Sequence, residues 1–440
     1  MEYLKKPPPT PKAVAAEIKD TVSEIISAVE TEGLAAVRRY SERFDRWNPT
    51  SFRVSRAEIE AAIEQTPLEW QQHIGWLQTQ VKRFAEAQKA TLTEFELETH
   101  PGIQLGQKQI PVSSVGSYSP GGRYPLIASS AMTVVVPKVA GVRRVVASAP
   151  PKDGLGIYPA QLFTMATSGA DEIYSIGGVQ AMAAMAFGVP ELELEPVDMI
   201  VGAGNAYVAE AKRQLFGVCG IDLLAGPTDI LIIADESADP RRVALDLLGQ
   251  AEHGLNSPAT LVTTSRDLAL EVNKLVLDLL IDYPTRDVAG VAWNDCGSII
   301  ICESDAEMVA VSDRVAPEHL EVQTTDPDWF LARLQNYGSL FLGHEATVAY
   351  ADKAIGTNHV LPTGGAARYT GGLWVGKFTK TVTYQRCTPE GTQTVAPHAA
   401  AVARAELMFG HALSCDVRLE RANLEQAAAQ LERQAVAADD

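Results

Sequence analysis

Apolar positions between residues 11 and 47 recur at helical spacing, with Val14, Ile18, Val22, Ile25, Ile26 and Val29 on one stripe, the pattern of an amphipathic helix. A second helical stretch runs from about Arg56 to Lys89 and is interrupted near Pro67, whose ring lacks the N–H a helix needs. From Ile110 the period changes to short apolar runs alternating with Gly-containing turns. Strands are predicted over 142–148, 172–176 and 199–201, with helices running to Ala140, over 179–187 and to about Phe216. Beyond Asp222 the alternation resumes, with strands over 229–233, 259–264, 298–302 and 339–342 and helices starting at Pro240 and Asp267. Such alternation implies an α/β fold of two parallel-sheet units with helices on both faces. A cleft between two such units is a preferred place for a ligand. After the Gly-rich stretch 364–376, residues 388–431 read as a mainly helical tail.

The 440 residues suffice for two or three domains. Hydrophobic residues at 46% and charged residues at 21% fit a globular enzyme. The net charge of -18, with no basic block to neutralise phosphates, argues against nucleic acid and against an anionic membrane surface. An anionic substrate would have to meet a local Arg or Lys. The five cysteines (Cys219, Cys296, Cys302, Cys387, Cys415) contain no Cys-x-x-Cys pair, so neither a disulfide framework nor a thiolate metal site is expected. The N-terminus lacks the apolar core of a signal peptide and no apolar run approaches the ~18 residues of a membrane helix. A cytoplasmic protein is expected.

Three segments carry candidate chemistry. Leu247-Leu248-Gly249-Gln250-Ala251-Glu252-His253-Gly254 lies at the predicted end of the Pro240 helix, with Pro favoured at its start and Gly past its end. Gln250 and His253, one turn apart, can point at the same atom, and a neutral imidazole and an amide carbonyl are both metal donors. The same pair equally describes surface or hydrogen-bonded core residues. Ala316-Pro317-Glu318-His319-Leu320-Glu321 places an acid beside an imidazole on a segment read as irregular, so that both can reach one substrate as acid or base; an exposed Glu next to a capping His would look no different. The polar segment 351–363, bounded by Pro362, is expected to be a loop. The Gly-rich turns at 120–122, 177–178 and 202–204 stand where parallel sheets bind nucleotides. Yet the dinucleotide fingerprint is incomplete. Gly202-x-Gly204 is followed by Tyr207 where a third Gly belongs, and no ribose-binding acid stands at the usual distance.

Taken together, Tyr118-Ser119-Pro120-Gly121-Gly122, Gly177-Gly178-Val179-Gln180, Gly204-Asn205-Ala206, Ala225-Gly226-Pro227, Gln250-Ala251-Glu252-His253, Pro317-Glu318-His319-Leu320 and Gly356-Thr357-Asn358-His359-Val360-Leu361-Pro362-Thr363 resemble the histidinol dehydrogenase family from about residue 10 to residue 425. The resemblance implies an NAD-dependent, zinc-containing homodimer that oxidises a primary alcohol to a carboxylate in two hydride transfers. It implies that Gln250, His253, Asp352 and His411 ligate one zinc per subunit, His411 reaching in from the partner on a swapped tail. By the same resemblance Glu318 and His319 move protons, and Tyr118, Gln180 and Asn205 line the NAD site. The substrate then meets Thr228, Gln250, His253, His319, Asp352, Glu406 and His411. The organisation implied is an N-terminal helical arm over 1–21, a zinc- and substrate-binding domain over 22–117 and 230–372, an incomplete Rossmann-like NAD domain over 118–229, and a helical tail over 373–440.

Departures from the family pattern fall near the expected substrate site. Gly226-Pro227-Thr228-Asp229 stands where the family has Gly-Pro-Ser-Glu, Gly249 where it has Ser or Ala, Val348 where it has Glu, and Arg386 where it often has Glu. Lys377 and Lys380 lie close in sequence. These changes point away from a cationic amino alcohol and toward an anionic or neutral substrate. The run Gly371-Gly372-Leu373-Trp374-Val375-Gly376-Lys377-Phe378 and the start Tyr3-Leu4-Lys5 look like the branch that oxidises 2,3-dihydroxypropane-1-sulfonate to 3-sulfolactate, with an Arg or Lys clamp for the sulfonate. Glu406, a substrate contact in the histidinol enzymes, is retained and speaks for L-histidinol. A binding protein that keeps the fold without catalysis is the remaining alternative.

Overall fold

Gly33, at φ 56°, splits the first helical stretch into Val14–Glu32 and Leu34–Asp45, a positive-φ conformation that glycine adopts without a Cβ penalty. The break at Pro67 separates Arg56–Gln65 from Leu68–Lys89. The computed structural model describes residues 1–8, 14–122 and 124–439, apart from the side chains of residues 14–16, 427 and 430–439. The side chain of Val14, counted in the helical stripe above, lies outside the described residues. The chain divides into two compact units, Met1–Lys89 with Val112–Phe378, and Ala90–Pro111 with the chain from Thr379 onward.

The first unit holds two parallel sheets. One contains Ser114–Tyr118, Arg144–Ser148, Glu172–Tyr174, Met199–Val201 and Gly220–Ile221. Counted along the chain, these strands stand in the order third, second, first, fourth, fifth, the order of a dinucleotide-binding sheet. Ligands of such sheets sit at the carboxyl edge, where the order reverses between first and fourth strands. Helices Ile127–Ala140, Pro159–Ser168, Gly178–Phe187 and Ala206–Leu215 make the crossovers. Val22, Ile25 and Val29 of the N-terminal helix share one core with Met182, Met185 and Val208.

The other sheet repeats the same order with Ile230–Ala234, Ala259–Thr263, Ser298–Ile301, His319–Gln323 and Ser339–Leu342. Ile230–Ala234, Ala259–Thr263 and His319–Gln323 are buried along their whole length, as expected of strands covered on both faces. Glu2–Lys5 adds an antiparallel edge strand beside Ser298–Ile301. The helical N-terminal region is present from Val14 onward, and the strand before it was not foreseen: four residues are too short to show a period, and the strand forms by docking on a prepared edge. Helix Arg286–Cys296 was also missed. No helix among the described residues is long and apolar enough to cross a membrane.

The second unit joins an antiparallel sheet of Phe95–His100, Ile103–Pro111 and Thr379–Cys387 to helices Pro389–Ala405 and Phe409–Asp439. The helical tail is present as expected. Its sheet was not foreseen, because Phe95–His100 is exposed along its whole length and carries no apolar alternation.

Candidate active site

The catalytic candidates stand at the amino edge of the second parallel sheet. His319 is the first residue of the strand His319–Gln323, and Asp229 immediately precedes Ile230–Ala234; the two strands are neighbours. Helix Pro240–Ala251 returns from the carboxyl edge, so its last turn brings Gln250 to the same place, with His253 just beyond. Asp352 arrives on Val348–Lys353, a short helix where the sequence suggested a loop; the Thr347 side chain caps it by accepting the Ala349 N–H. Glu318 and His319 were placed on one irregular segment. Only Glu318 is irregular, which lets adjacent side chains converge although the strand begins at once.

A continuous hydrogen-bond chain runs through these residues. Gln250 Nε2 donates to Thr228 Oγ1, and Thr228 Oγ1 donates to Glu318 Oε2. The same Oε2 accepts the Asp229 N–H at 3.1 Å, while Asp229 Oδ1 accepts the Glu318 N–H at 2.8 Å. Burial pushes the Glu318 carboxyl up to about 7. His319 Nδ1 lies 2.8 Å from the Asp229 carbonyl oxygen. A carbonyl only accepts, so Nδ1 carries the proton and neutral His319 keeps its lone pair on Nε2. That Nε2 is buried and has no partner among the described residues. Burial alone would lower the His319 imidazolium, but the carboxylates of Glu318 and Asp352 outweigh it and raise the value. A buried base with its accepting atom unengaged is chemically competent for proton transfer near neutral pH.

His253 and Asp352 form the adjoining half of the site. His253 Nε2 is 3.9 Å from Asp352 Oδ2, too long for a hydrogen bond and within the span of two donors that each sit ~2.0–2.2 Å from a shared zinc. Burial lowers His253, favouring the neutral ring; burial would raise Asp352, but His359, His319, Lys353 and His253 hold it below the usual range. A neutral imidazole and an ionised carboxylate are the protonation states a metal requires. With Nε2 of Gln250 committed to Thr228, its carbonyl Oε1 remains as a third donor. Among the described residues no three His, Cys, Asp or Glu side chains converge as a metal centre. Gln250, an amide, is not among those residue types, and His411 belongs to the second unit. Gln250, His253 and Asp352 thus offer donor types that fit a zinc ion. Glu406 and His411 are exposed at the junction of the two tail helices.

His359 was not singled out from the sequence. Its Nε2 meets Ser129 Oγ at 2.7 Å and its Nδ1 lies 3.2 Å from the Asp352 carbonyl oxygen and 3.8 Å from Asp352 Oδ1. Ser129 belongs to Ile127–Ala140, the helix that follows the Pro/Gly turn of the first sheet. The contact therefore ties the two halves of the first unit together. The Gly-Thr-Asn-His run was the available signal.

The departures divide between the site and other places. Thr228 and Asp229 hold Glu318, and Gly249 faces open space in which a Cβ meets no atom within 4 Å. Val348 is buried in the apolar core with Leu247, Leu248 and Ala351, and its N–H donates to Glu321 at 2.9 Å. It does not line an open site, which corrects the use made of it above. Lys377 donates to Thr370 at 2.8 Å. Lys380 and Arg386 are exposed in the second unit, and Arg386 packs over the Tyr384 ring at 5.7 Å.

The cofactor candidates gather at the carboxyl edge of the first sheet. Tyr118 ends its first strand, buried, and its hydroxyl accepts the Gly178 N–H at 3.0 Å; burial pushes the phenol up to about 12. Gln180 is buried at the start of Gly178–Phe187, with Oε1 unpartnered among the described residues. Asn205 caps Ala206–Leu215, its Oδ1 accepting the N–H groups of Tyr207 and Val208 at 3.1 and 3.2 Å. Gly202 is obligatory, because a Cβ there would lie 2.1 Å from the Tyr118 carbonyl oxygen.

The histidinol dehydrogenase family model matches residues 9–419. A histidinol dehydrogenase homolog of Shouchella clausii is 52% identical over 405 residues, 92% of this chain and 95% of the relative. The sulfopropanediol 3-dehydrogenase of Ruegeria pomeroyi is 51% identical over 423 residues, 96% and 97% of the two chains. Among solved structures, histidinol dehydrogenase from Elizabethkingia anophelis superposes with a TM-score of 0.88 at 34% identity, covering 94% of each chain. The chain belongs to the histidinol dehydrogenase family of oxidoreductases.

Proposed function

We propose that the protein is a zinc- and NAD-dependent dehydrogenase that oxidises a primary alcohol to a carboxylate in two steps, with 2,3-dihydroxypropane-1-sulfonate as substrate and 3-sulfolactate as product. When bound, zinc would orient and polarise the alcohol oxygen, and two NAD molecules in succession would each accept one hydride. Gln250, His253 and Asp352 would hold the metal, with His411 of a second subunit completing the set; Tyr118, Gln180 and Asn205 would hold the dinucleotide. Nε2 of His319 takes the alcohol proton as the aldehyde forms. The Glu318 carboxylate, ionised in a good fraction of molecules near its pKa of about 7, takes a proton from the water that adds to the aldehyde. The hydrate anion so formed gives up the second hydride, and the resulting acid releases its proton to solvent and leaves as the carboxylate. Thr228 and the Asp229 N–H orient Glu318, and the Asp229 carbonyl fixes the His319 tautomer. The observation that carries this reading is the buried, unengaged Nε2 of His319 beside Glu318, adjoining a His253–Asp352 pair spaced for an ion.

The assembly follows from the same residues. His411 and Glu406 serve the site only if a tail supplies them, and Leu407, Phe409 and Leu413 around them are 74%, 61% and 66% exposed, an apolar surface suited to a homodimer partner.

The substrate assignment rests on the relative at 51% identity and on Lys353. Its Nζ lies 3.4 Å from Asp352 Oδ2 on a largely exposed side chain, available as a cation for a sulfonate. Retention of Glu406 favours the second reading, L-histidinol. The test is NADH formation by zinc-loaded protein offered each alcohol separately. Turnover of the sulfonate alone supports the assignment; efficient turnover of histidinol alone overturns it and leaves the zinc and base roles standing.

A further inference from the structure

The dinucleotide sheet lacks the acid that normally closes its ribose site. In that fold an Asp or Glu at the carboxyl end of the second strand accepts the adenosine ribose 2′-hydroxyl. Here the second strand, Arg144–Ser148, runs into Ala149-Pro150 with no acid. The place is filled from a distant part of the sequence. Asp45, the last residue of helix Leu34–Asp45, brings its carboxylate to the turns that follow the second and third strands. Gln180 Nε2 lies 3.2 Å from Asp45 Oδ2. A Cβ built on Gly177 would stand 3.1 Å from that same oxygen and 2.6 Å from Pro150 Cβ.

Two further features mark the position as a binding one. The Gln180 carboxamide oxygen beside Asp45 is buried and unpartnered among the described residues, a cost normally met only where something else completes the bond. An acid in the last turn also faces the negative end of the helix dipole, where a base is favoured. Among the described residues only Gln180 donates to Asp45, so a carboxylate oxygen remains for a ligand hydroxyl.

We infer that Asp45 accepts the 2′-hydroxyl of the adenosine ribose of NAD, and that it excludes NADP by setting a carboxylate against the 2′-phosphate. This rests on the NAD reading proposed above. It explains why no acid appears at the usual spacing, since the N-terminal helices contribute it across about a hundred residues of sequence.

Isothermal titration calorimetry of the zinc-loaded, full-length protein with NAD, NADP and NAD lacking the adenosine 2′-hydroxyl tests the assignment without reliance on turnover. A hydrogen bond to a charged acceptor corresponds to about 10- to 100-fold in affinity. The wild type should bind NAD tighter than the deoxy analogue by that factor and NADP more weakly still. Asp45→Asn should lower NAD affinity toward that of the analogue, leave the analogue unchanged and narrow the NAD/NADP gap. Equal wild-type affinity for NAD and the analogue would overturn the assignment, whatever the stability of the variant. Equal or tighter binding of NADP would overturn it as well, and would point to the adjacent Arg46 as the group reading that edge. Failure of the wild type to bind any dinucleotide would overturn the NAD reading itself and this inference with it.

Discussion

Glu318→Gln should stabilise the protein at alkaline pH while removing its chemistry. The Glu318 carboxyl titrates near 7 in the fold against 4.5 for a free side chain, chiefly because burial disfavours its charge. The native state therefore holds a proton that the unfolded chain releases between these values. Stability is full below about pH 4.5, falls as pH rises, and the loss is complete above about 7. A rise from 4.5 to about 7 at 1.36 kcal/mol per unit amounts to about 3 kcal/mol. Glutamine has the same shape, and its carbonyl can still accept from Thr228 and the Asp229 N–H. Urea denaturation of wild type and variant at pH 5 and pH 9 should give nearly equal midpoints at the lower pH. At the higher pH the variant should gain stability approaching that 3 kcal/mol. NADH formation should meanwhile fall by at least about 100-fold, the usual contribution of a general base. Equal stability of the two proteins at pH 9 would show that Glu318 is not held ionised against burial, and would remove the basis for its role.

Other perturbations probe separate parts of the account. Lys212 and Asp222 form a buried ion pair, 1% and 0% exposed, beneath the Gly202 turn; Asp222→Asn should destabilise the fold by about 3–5 kcal/mol in chemical denaturation, and Lys212→Met added to it should recover much of the loss. Chelation should abolish NADH formation and zinc alone should restore it, with His253→Asn lowering the zinc found per subunit by elemental analysis. Mixing inactive Glu318→Gln and His411→Asn proteins under exchange conditions should regenerate about one quarter of the wild-type activity if each site draws one residue from each subunit; no recovery, with exchange verified, would mean that the site is not shared.

Much of the first unit was legible because both sheets are buried on two faces. Ile230–Ala234 and Ala259–Thr263 read as apolar runs bounded by turns, and Asp239, Pro240 and Ser265 mark helix starts by chemistry that needs no tertiary context. Two of the elements missed have their reason elsewhere in the fold. Glu2–Lys5 is a strand because Ser298–Ile301 offers an open edge, and Phe95–His100 because Ile103–Pro111 pairs with it. In the site, Gln250, His253, Glu318 and His319 could be nominated from neighbouring residues and from resemblance. Asp229 could not, since it acts through its carbonyl oxygen and one carboxylate contact, and nothing in its spacing announces either. Val348 misled for the converse reason: a missing acid says what a position lacks and not which way its side chain faces. Asp45 was invisible because its partners, Gln180 and Gly177, stand more than 130 residues away.

The most direct test of the two-step mechanism is the ratio of NADH formed to 2,3-dihydroxypropane-1-sulfonate consumed at limiting alcohol, measured with and without an aldehyde-trapping amine. Two NADH per alcohol, unchanged by the trap, with 3-sulfolactate as the product, is the expected result for a site in which Glu318 delivers water to an aldehyde that His319 has helped to form. One NADH per alcohol, with free aldehyde accumulating, would contradict it.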